Sequence, residues 1–308
     1  MLSNKIKGYL FAVVAAATYG MNPLFALPLY ADGMDADSVL FFRYLFALPV
    51  LAVMARSRGR SLKLAKSEFL PLLLMGLLFS TSSLTLFLSY NYMDAGIAST
   101  LLFVYPIMVA LLMSLVFKEK LRPVTLLCLA LSALGIGLLY KSGDGVRLSL
   151  AGTLLVMLSA LSYALYMVAI NKSPRLKAVP TLKLTFYVLL FGLSLFAVRL
   201  GIRGSVTLPH NPWRWVNLLM LALLPTMLSL ICTTRAISYI GSTPTAILGA
   251  LEPVTAIFFG ITLFGETLTP REVMGITIII ASVTIVVAGG SLSATLTRVR
   301  KMFPRLKH

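Results

Sequence analysis

The sequence predicts an all-α membrane protein of ten transmembrane helices arranged as two inverted-topology five-helix repeats. Three observations carry that reading. The 308 residues are 58% apolar and 12% charged, with a mean hydropathy of +0.92, whereas a soluble domain holds about 45–50% apolar and about 25% charged residues. Short basic segments cut the apolar excess into runs near the length, about 20 residues, that a spanning helix needs. A stretch around residues 102–123 recurs at 249–270. The same composition excludes disorder. Its 21 Gly and 15 Pro show no collagen-like period, and two cysteines make no disulfide scaffold.

Taken in order, the spans are 8–30, 38–55 (with Arg43 inside), 69–90, 96–117, 123–140, 150–171, 181–198 (with Lys183 near its start), 215–238 (with Arg235), 243–264 (with Glu252) and 273–290. Lys5 and Lys7 ahead of Ala15, Ala16 and Ala17 resemble a signal peptide. The apolar run continues to Tyr30, beyond an h-region of about 7–15 residues, so span 1 is read as retained. The formal charge of +17 comes from 27 Lys and Arg against 10 Asp and Glu. These bases lie between apolar runs, which fits topology signals and contact with anionic lipid headgroups rather than a nucleic-acid footprint. With the N-terminus inside, the inner segments hold 18 basic residues and the outer loops 6. That bias places both termini in the cytoplasm and the chain in the cell (inner) membrane. Cys128 and Cys232 fall inside spans 5 and 8 and read as small apolar filler.

The two halves align at a shift of 147 residues. Pro106 meets Pro253, Phe117 meets Phe264, Glu119 meets Glu266, Leu121 meets Leu268 and Pro123 meets Pro270. Spans 1 and 6 align more loosely at 144, Gly8 with Gly152 and Tyr19 with Tyr163. This divides the chain into 1–145, 146–290 and a basic cytoplasmic tail, 291–308. Five spans is an odd number, so the second half enters the membrane upside down. Such repeats recur in secondary transporters, with the substrate site near the midplane between them.

Paired five-helix halves, each carrying P-x(12)-E-x-L at the end of its fourth helix, resemble the EamA family of the drug/metabolite transporter superfamily. FFRYLF at 41–46 resembles that family's second-helix arginine. LEPVTAIFFGITLFGETLTP at 251–270 resembles its most recognisable segment. The resemblance spans residues 8–290. It implies a ten-helix bundle that moves small metabolites, often amino acids, with coupling ion and direction varying between members. The first-half copy reads VYP, with Tyr105 where the second has Glu252, so the halves are not chemically equivalent.

Polar side chains at mid-depth are costly and face the bundle interior. Glu252 is the sharpest case. It either binds a substrate amine, carries a coupling proton or locks span 9 by a hydrogen bond, and Pro253 frees a carbonyl one turn earlier. Arg43 either attracts a carboxylate, helps to close an outer gate or snorkels to the outer headgroups, and Arg235 has the same inner route. Asn22-Pro23 breaks span 1 and, with Tyr19, forms a pocket wall or a packing kink. Tyr163 and Tyr166, with Ser159 and Ser162, give span 6 a polar stripe. Tyr105 matches Glu252 by repeat logic, while Tyr90, Asn91 and Tyr92 read as an aromatic belt. Glu119 and Glu266 are gate latches or helix-end salt bridges. Small residues four apart (Ala12 and Ala16, Ala110 and Ser114, Ala133 and Gly137, Ala246 and Ala250) mark close helix packing.

Enzyme chemistry finds no home. The only histidines are His210 and His308, no aspartate is mid-span, and no GxxxxGK[ST] exists. The expectation is a secondary transporter, most readily an exporter, of a small polar metabolite such as an amino acid. It works by alternating access without cofactor or metal, with protons as a candidate coupling ion. A membrane channel or a transporter of another metabolite class is the alternative.

Overall fold

This structure, a computed structural model, describes residues 3–93, 98, 101–121, 123–139, 149–264, 270, 271, 273–282, 284 and 285. The described elements are helices. They are α1 (Asn4–Tyr19), α2 (Asn22–Ala31), α3 (Ala36–Ser57), α4 (Lys66–Ser89), α5 (Tyr105–Leu115), α6 (Pro123–Leu139), α7 (Leu150–Lys172), α8 (Pro174–Ala178) and α9 (Thr181–Arg203). After them come α10 (Arg214–Leu221), a π-helical segment (Ala222–Leu228), α11 (Ser229–Ile240), α12 (Ser242–Leu248), α13 (Leu251–Phe264) and α14 (Val273–Ser282). Six stretches are long and apolar enough to cross a membrane: Asn4–Ala31, Ala36–Ser57, Lys66–Ser89, Leu150–Lys172, Thr181–Arg203 and Arg214–Ile240.

Large apolar side chains cover the outside, and polar groups sit among the apolar ones inside. Leu10, Val53, Leu74, Leu154 and Val198 point outward, while Arg43, Ser80, Ser82, Ser159, Thr185, Thr226 and Ser242 are fully enclosed. Only a lipid solvent favours that arrangement, because it leaves no penalty on the outer apolar surface and a large one on exposed polar groups.

Three predicted spans are broken, each just before a proline. Span 1 turns at Gly20 and Met21 between α1 and α2, so Pro23 lies in the first turn of α2, where a missing N–H costs nothing. Span 4 turns at Phe103 and Val104 ahead of Tyr105-Pro106. Span 9 turns at Gly249 and Ala250 ahead of Glu252-Pro253. The last two breaks fall within one residue of each other in the 147-residue alignment. Span 8 stays continuous but passes through the π segment around Pro225. The start of span 4 and the ends of spans 5 and 10 lie partly outside the described residues.

Helix α1 runs along α11, as α7 runs along α4, and α9 packs against both α3 and α4. Helix α5 meets α7 and α12, and α13 meets α1. Close approaches need glycine: a Cβ on Gly76 would lie 2.6 Å from Phe191 Cβ, and one on Gly8 2.8 Å from Tyr239 Cβ. Ala12, Ala16, Ala246 and Ala250 are buried, but Ala133 and Gly137 are exposed. The packed small residue of α6 is Gly135, against the Gly275 carbonyl, so that face of span 5 is rotated from expectation.

Charged residues tie the helix ends. At one end Lys183 donates to Glu68 at 2.5 Å, joining α9 to α4. At the other, Arg199 pairs with Asp37 at 2.6 Å and Arg203 with Asp35 at 3.1 Å. Thr207 and His210 continue that clip through hydrogen bonds to Asp35 and Asp32.

Candidate functional site

The breaks in spans 1 and 9 face one another. Gly20 lies directly on the Glu252 carbonyl oxygen, where a side chain would collide, and 2.9 Å from where its Cβ would sit is the Cβ of Thr255. Beside this contact is a cavity of about 30 Å³ lined by Tyr19, Gly20, Asn22, Pro23, Leu86, Tyr90, Leu102, Glu252 and Pro253. That volume holds about one water, so the site is contracted in this state.

Asn22 is the most telling wall residue. It is 3% exposed, and neither its amide nitrogen nor its amide oxygen has a hydrogen-bond partner. An unpaired buried polar group costs about 1–3 kcal/mol, so a side chain carrying two such atoms has a reason beyond packing. Opposite it, Glu252 sits in the first turn of α13, where the helix dipole favours an anion. Its Oε1 lies 3.4 Å from the Tyr105 hydroxyl. That hydroxyl is also 3.3 Å from the Ala246 carbonyl and fills the space a side chain on Gly249 would take. The two repeat-equivalent residues, Tyr105 and Glu252, therefore touch across the bundle.

Behind the cavity stands an aromatic cluster. Tyr163 packs edge-on to Tyr105 at 5.0 Å between ring centroids and stacks on Tyr19 at 6.2 Å. Tyr166 stacks on Tyr163 at 6.2 Å and meets Phe79 at 5.5 Å. Among the predicted site residues, Tyr19, Asn22 and Glu252 line the cavity, Tyr105 and Tyr163 back it, and Tyr166 is one layer deeper.

Arg43 differs from the snorkelling expectation. It is 0% exposed, and its guanidinium turns inward over the Phe87 ring, 5.5 Å from the centroid. Nε donates to the Thr226 hydroxyl, and Nη2 lies 3.4 Å from the Pro225 carbonyl. Both acceptors lie in the π segment, where Pro225 has no N–H to give the preceding turn and the Thr226 hydroxyl donates to the Leu221 carbonyl instead. Pro225 and Thr226 were not singled out by sequence reasoning; a proline followed by a threonine in mid-span is the signal that was there to find. Tyr90 also departs from its expected place. It lines the cavity and packs on Phe87 at 5.5 Å, because α4 carries it inward rather than into an aromatic belt.

The remaining predicted residues stand apart from the cavity. Arg235 is half-buried on α11 and forms no ion pair among the described residues. Glu119 is exposed and pairs with Lys172 at 2.5 Å, a helix-end bridge between the end of span 4 and α7. Glu266 lies outside the described residues. Neither Arg43 nor Arg235 pairs with Glu252.

Known proteins resemble this chain in sequence and in fold. The model of the EamA-like transporter family matches residues 6–141 and again 150–288. A protein named threonine/homoserine exporter RhtA from Escherichia coli (strain K12) is 28% identical over 260 residues, 83% of this chain and 80% of its own. Its namesake in Salmonella typhimurium (strain LT2) is 28% identical over 265 residues, 85% of this chain and 82% of its own. An uncharacterized transporter of Archaeoglobus fulgidus is 29% identical over 261 residues, 82% of this chain and 87% of its own. One solved crystal structure covers 90% of this chain and 95% of its own at 15% identity, with a TM-score of 0.78, a likeness of fold. With each half matched by the family model and six helices long and apolar enough to cross a membrane, the chain belongs to the EamA-like transporter family of the drug/metabolite transporter superfamily and is a multi-pass membrane transporter of small molecules.

Proposed function

We propose that this transporter exports an amino acid or closely related small polar metabolite from the cytoplasm by alternating access. The observation that carries the reading is the buried, doubly unpartnered Asn22 amide facing Glu252 across a contracted cavity. Glu252 receives the substrate ammonium or, between transport events, a proton. The Asn22 amide offers one acceptor and two donors to the polar remainder, and Tyr19, with Tyr105 and Tyr163 behind it, walls the site. The name borne by the Escherichia coli and Salmonella relatives, threonine/homoserine exporter, points to the same substrate class.

The architecture proposed with it is ten spans in two inverted repeats, 1–145 and 146–290, with the 291–308 tail and the N-terminus in the cytoplasm of the cell membrane. Two features support it. Spans 4 and 9 break within one residue of equivalent positions, and the packing partners exchange between halves: span 1 with span 8 mirrors span 6 with span 3, and span 4 faces span 9. Two inverted copies can trade conformations, so one chain reaches inward-open and outward-open states of similar energy.

Counterflow in proteoliposomes tests the function. Vesicles preloaded with L-threonine or L-homoserine take up the labelled amino acid in a saturable way, and Glu252→Gln abolishes any dependence on a proton gradient. Uptake no greater than in empty liposomes for a full amino-acid panel sinks the substrate class. Gradient-dependent uptake that survives Glu252→Gln sinks the coupling role.

A further inference from the structure

Resting on the amino-acid reading above, we infer that Arg43 is the carboxylate anchor of the substrate site, so that the transporter selects zwitterions over plain amines. Arg43 is fully enclosed, yet its two acceptors, the Thr226 hydroxyl and the Pro225 carbonyl, are both neutral. Guanidinium has five N–H donors, and those two contacts use two of them. A buried cation in a membrane needs a counter-charge, and among the described residues no carboxylate supplies one. The other ionisable group at this part of the bundle is the half-buried Glu252, and among the described residues it too has only a hydroxyl, that of Tyr105, as its side-chain partner.

Glu252 lines the cavity, and Arg43 stands behind its wall on the Phe87 side. Arg43 lies over Phe87, which sits next to the wall residue Leu86 and packs on the wall residue Tyr90. Tyr19, another wall residue, is within electrostatic reach of both Arg43 and Glu252. A ligand with an ammonium at one end and a carboxylate at the other satisfies both charges at once, with the Asn22 amide beside it. The contracted cavity has to widen for this, and the hinges are at hand: Gly20 and Met21 in span 1, Gly249 and Ala250 in span 9. A plain amine leaves the guanidinium uncompensated, and a plain acid leaves Glu252 so. Selectivity for the zwitterion follows from charge balance rather than from shape.

The test compares L-threonine with its amino alcohol, L-threoninol, which keeps the amine and loses the carboxylate. Counterflow is measured for wild type, R43Q and R43K in proteoliposomes, with the thermal midpoint of each variant recorded in detergent. Wild type prefers threonine. R43Q loses that preference by about tenfold or more, the worth of a charge-assisted hydrogen bond, while R43K, which keeps the charge but not the fork, falls between. Equal loss of threonine and threoninol uptake, with the preference unchanged, overturns the assignment and leaves Arg43 as a brace for the π segment. Should R43Q fail to fold, R43K decides alone: a reduced preference supports the anchor and a wild-type preference overturns it. Wild type that carries no amino acid at all removes the substrate class and the anchor together. Wild type that carries threonine with R43Q discriminating as before removes only the anchor.

Discussion

A side chain kept against its own stability is the clearest mark of function at the scale of single residues. Asn22 has two buried polar atoms and no partner for either, so replacing it by an apolar group of similar size removes a penalty. Asn22→Leu is therefore expected to unfold at the same or a higher temperature, by up to about 1–3 kcal/mol of relief, while losing threonine counterflow. A variant that loses stability and activity in parallel makes Asn22 a packing residue. Tyr105 makes the complementary case. Its hydroxyl is shared between Glu252 and the Ala246 carbonyl at 3.4 and 3.3 Å, and only one of them can take its proton at a time. Tyr105→Phe leaves the ring cluster intact and strips Glu252 of its side-chain partner. Uptake is expected to fall several-fold with the fold unharmed, checked by counterflow beside a thermal melt.

Elements place these residues, and what the sequence discloses about an element depends on whether its cause is local. The break in span 1 and the loosened helix at Pro253 were legible from prolines, whose effect on a helix does not wait for tertiary contacts, and the break in span 4, not anticipated from the sequence, follows from Pro106 by the same rule. Glu252, Tyr105, Asn22 and Tyr19 were legible for a similar reason: a polar group beside a break in a membrane helix is costly wherever it points. The inward turn of Arg43 was not, since snorkelling and burial differ only in whether another span supplies an acceptor, and that acceptor lies 182 residues away on the π segment. The same holds for Tyr90, whose side is set by how α4 packs. If the π segment exists to aim the Pro225 carbonyl and Thr226 at Arg43, then Pro225→Ala lets span 8 relax toward α-helix. Proline costs a helix interior about 3 kcal/mol relative to alanine, so the variant is expected to be at least as stable as wild type and roughly tenfold slower in counterflow, the cost of one charge-assisted hydrogen bond. Unchanged transport removes the π segment from the mechanism. The clip between α3 and the 205–211 segment responds to acid. Burial raises the Asp35 carboxyl, but hydrogen bonds from Thr207 and Ser38 and the charge of Arg203 outweigh it and hold the group below its ordinary value. A carboxyl held low stabilises the fold above the unfolded-chain value, near pH 4, and that contribution is lost as pH falls through the folded-state value. Thermal midpoints of wild type are expected to drop from pH 5 to pH 3, and Asp35→Asn to flatten that drop.

For the whole molecule the decisive quantity is the direction in which each half crosses the bilayer. Two features argue for the proposed inversion without a membrane in view: the five spans expected in each half from the sequence, and packing partners that exchange between halves. The expected charge bias of 18 inner against 6 outer basic residues then favours one way round for the pair, with both termini in the cytoplasm. Ser61 and Ser205 give a direct reading. They lie 144 residues apart, the shift that aligns spans 1 and 6, and both are exposed, Ser61 between α3 and α4 and Ser205 after α9. Repeats of the same orientation put such equivalent positions on one side of the membrane, whereas inverted repeats put them on opposite sides. The native cysteines, Cys128 and Cys232, are buried and can be replaced by alanine to clear the background. In intact cells a membrane-impermeant thiol reagent is expected to label S205C and Y92C and to spare S61C and K177C until the membrane is opened. Labelling of S61C and S205C from the same side ends the inverted-repeat reading, and with it the argument that one half's conformation is available to the other. Labelling of S61C and K177C alone keeps the inversion but turns the molecule over, so that the clip formed by Asp35, Arg203 and Thr207 would face the cytoplasm, its response to acid would follow internal pH, and the export direction would have to be argued afresh.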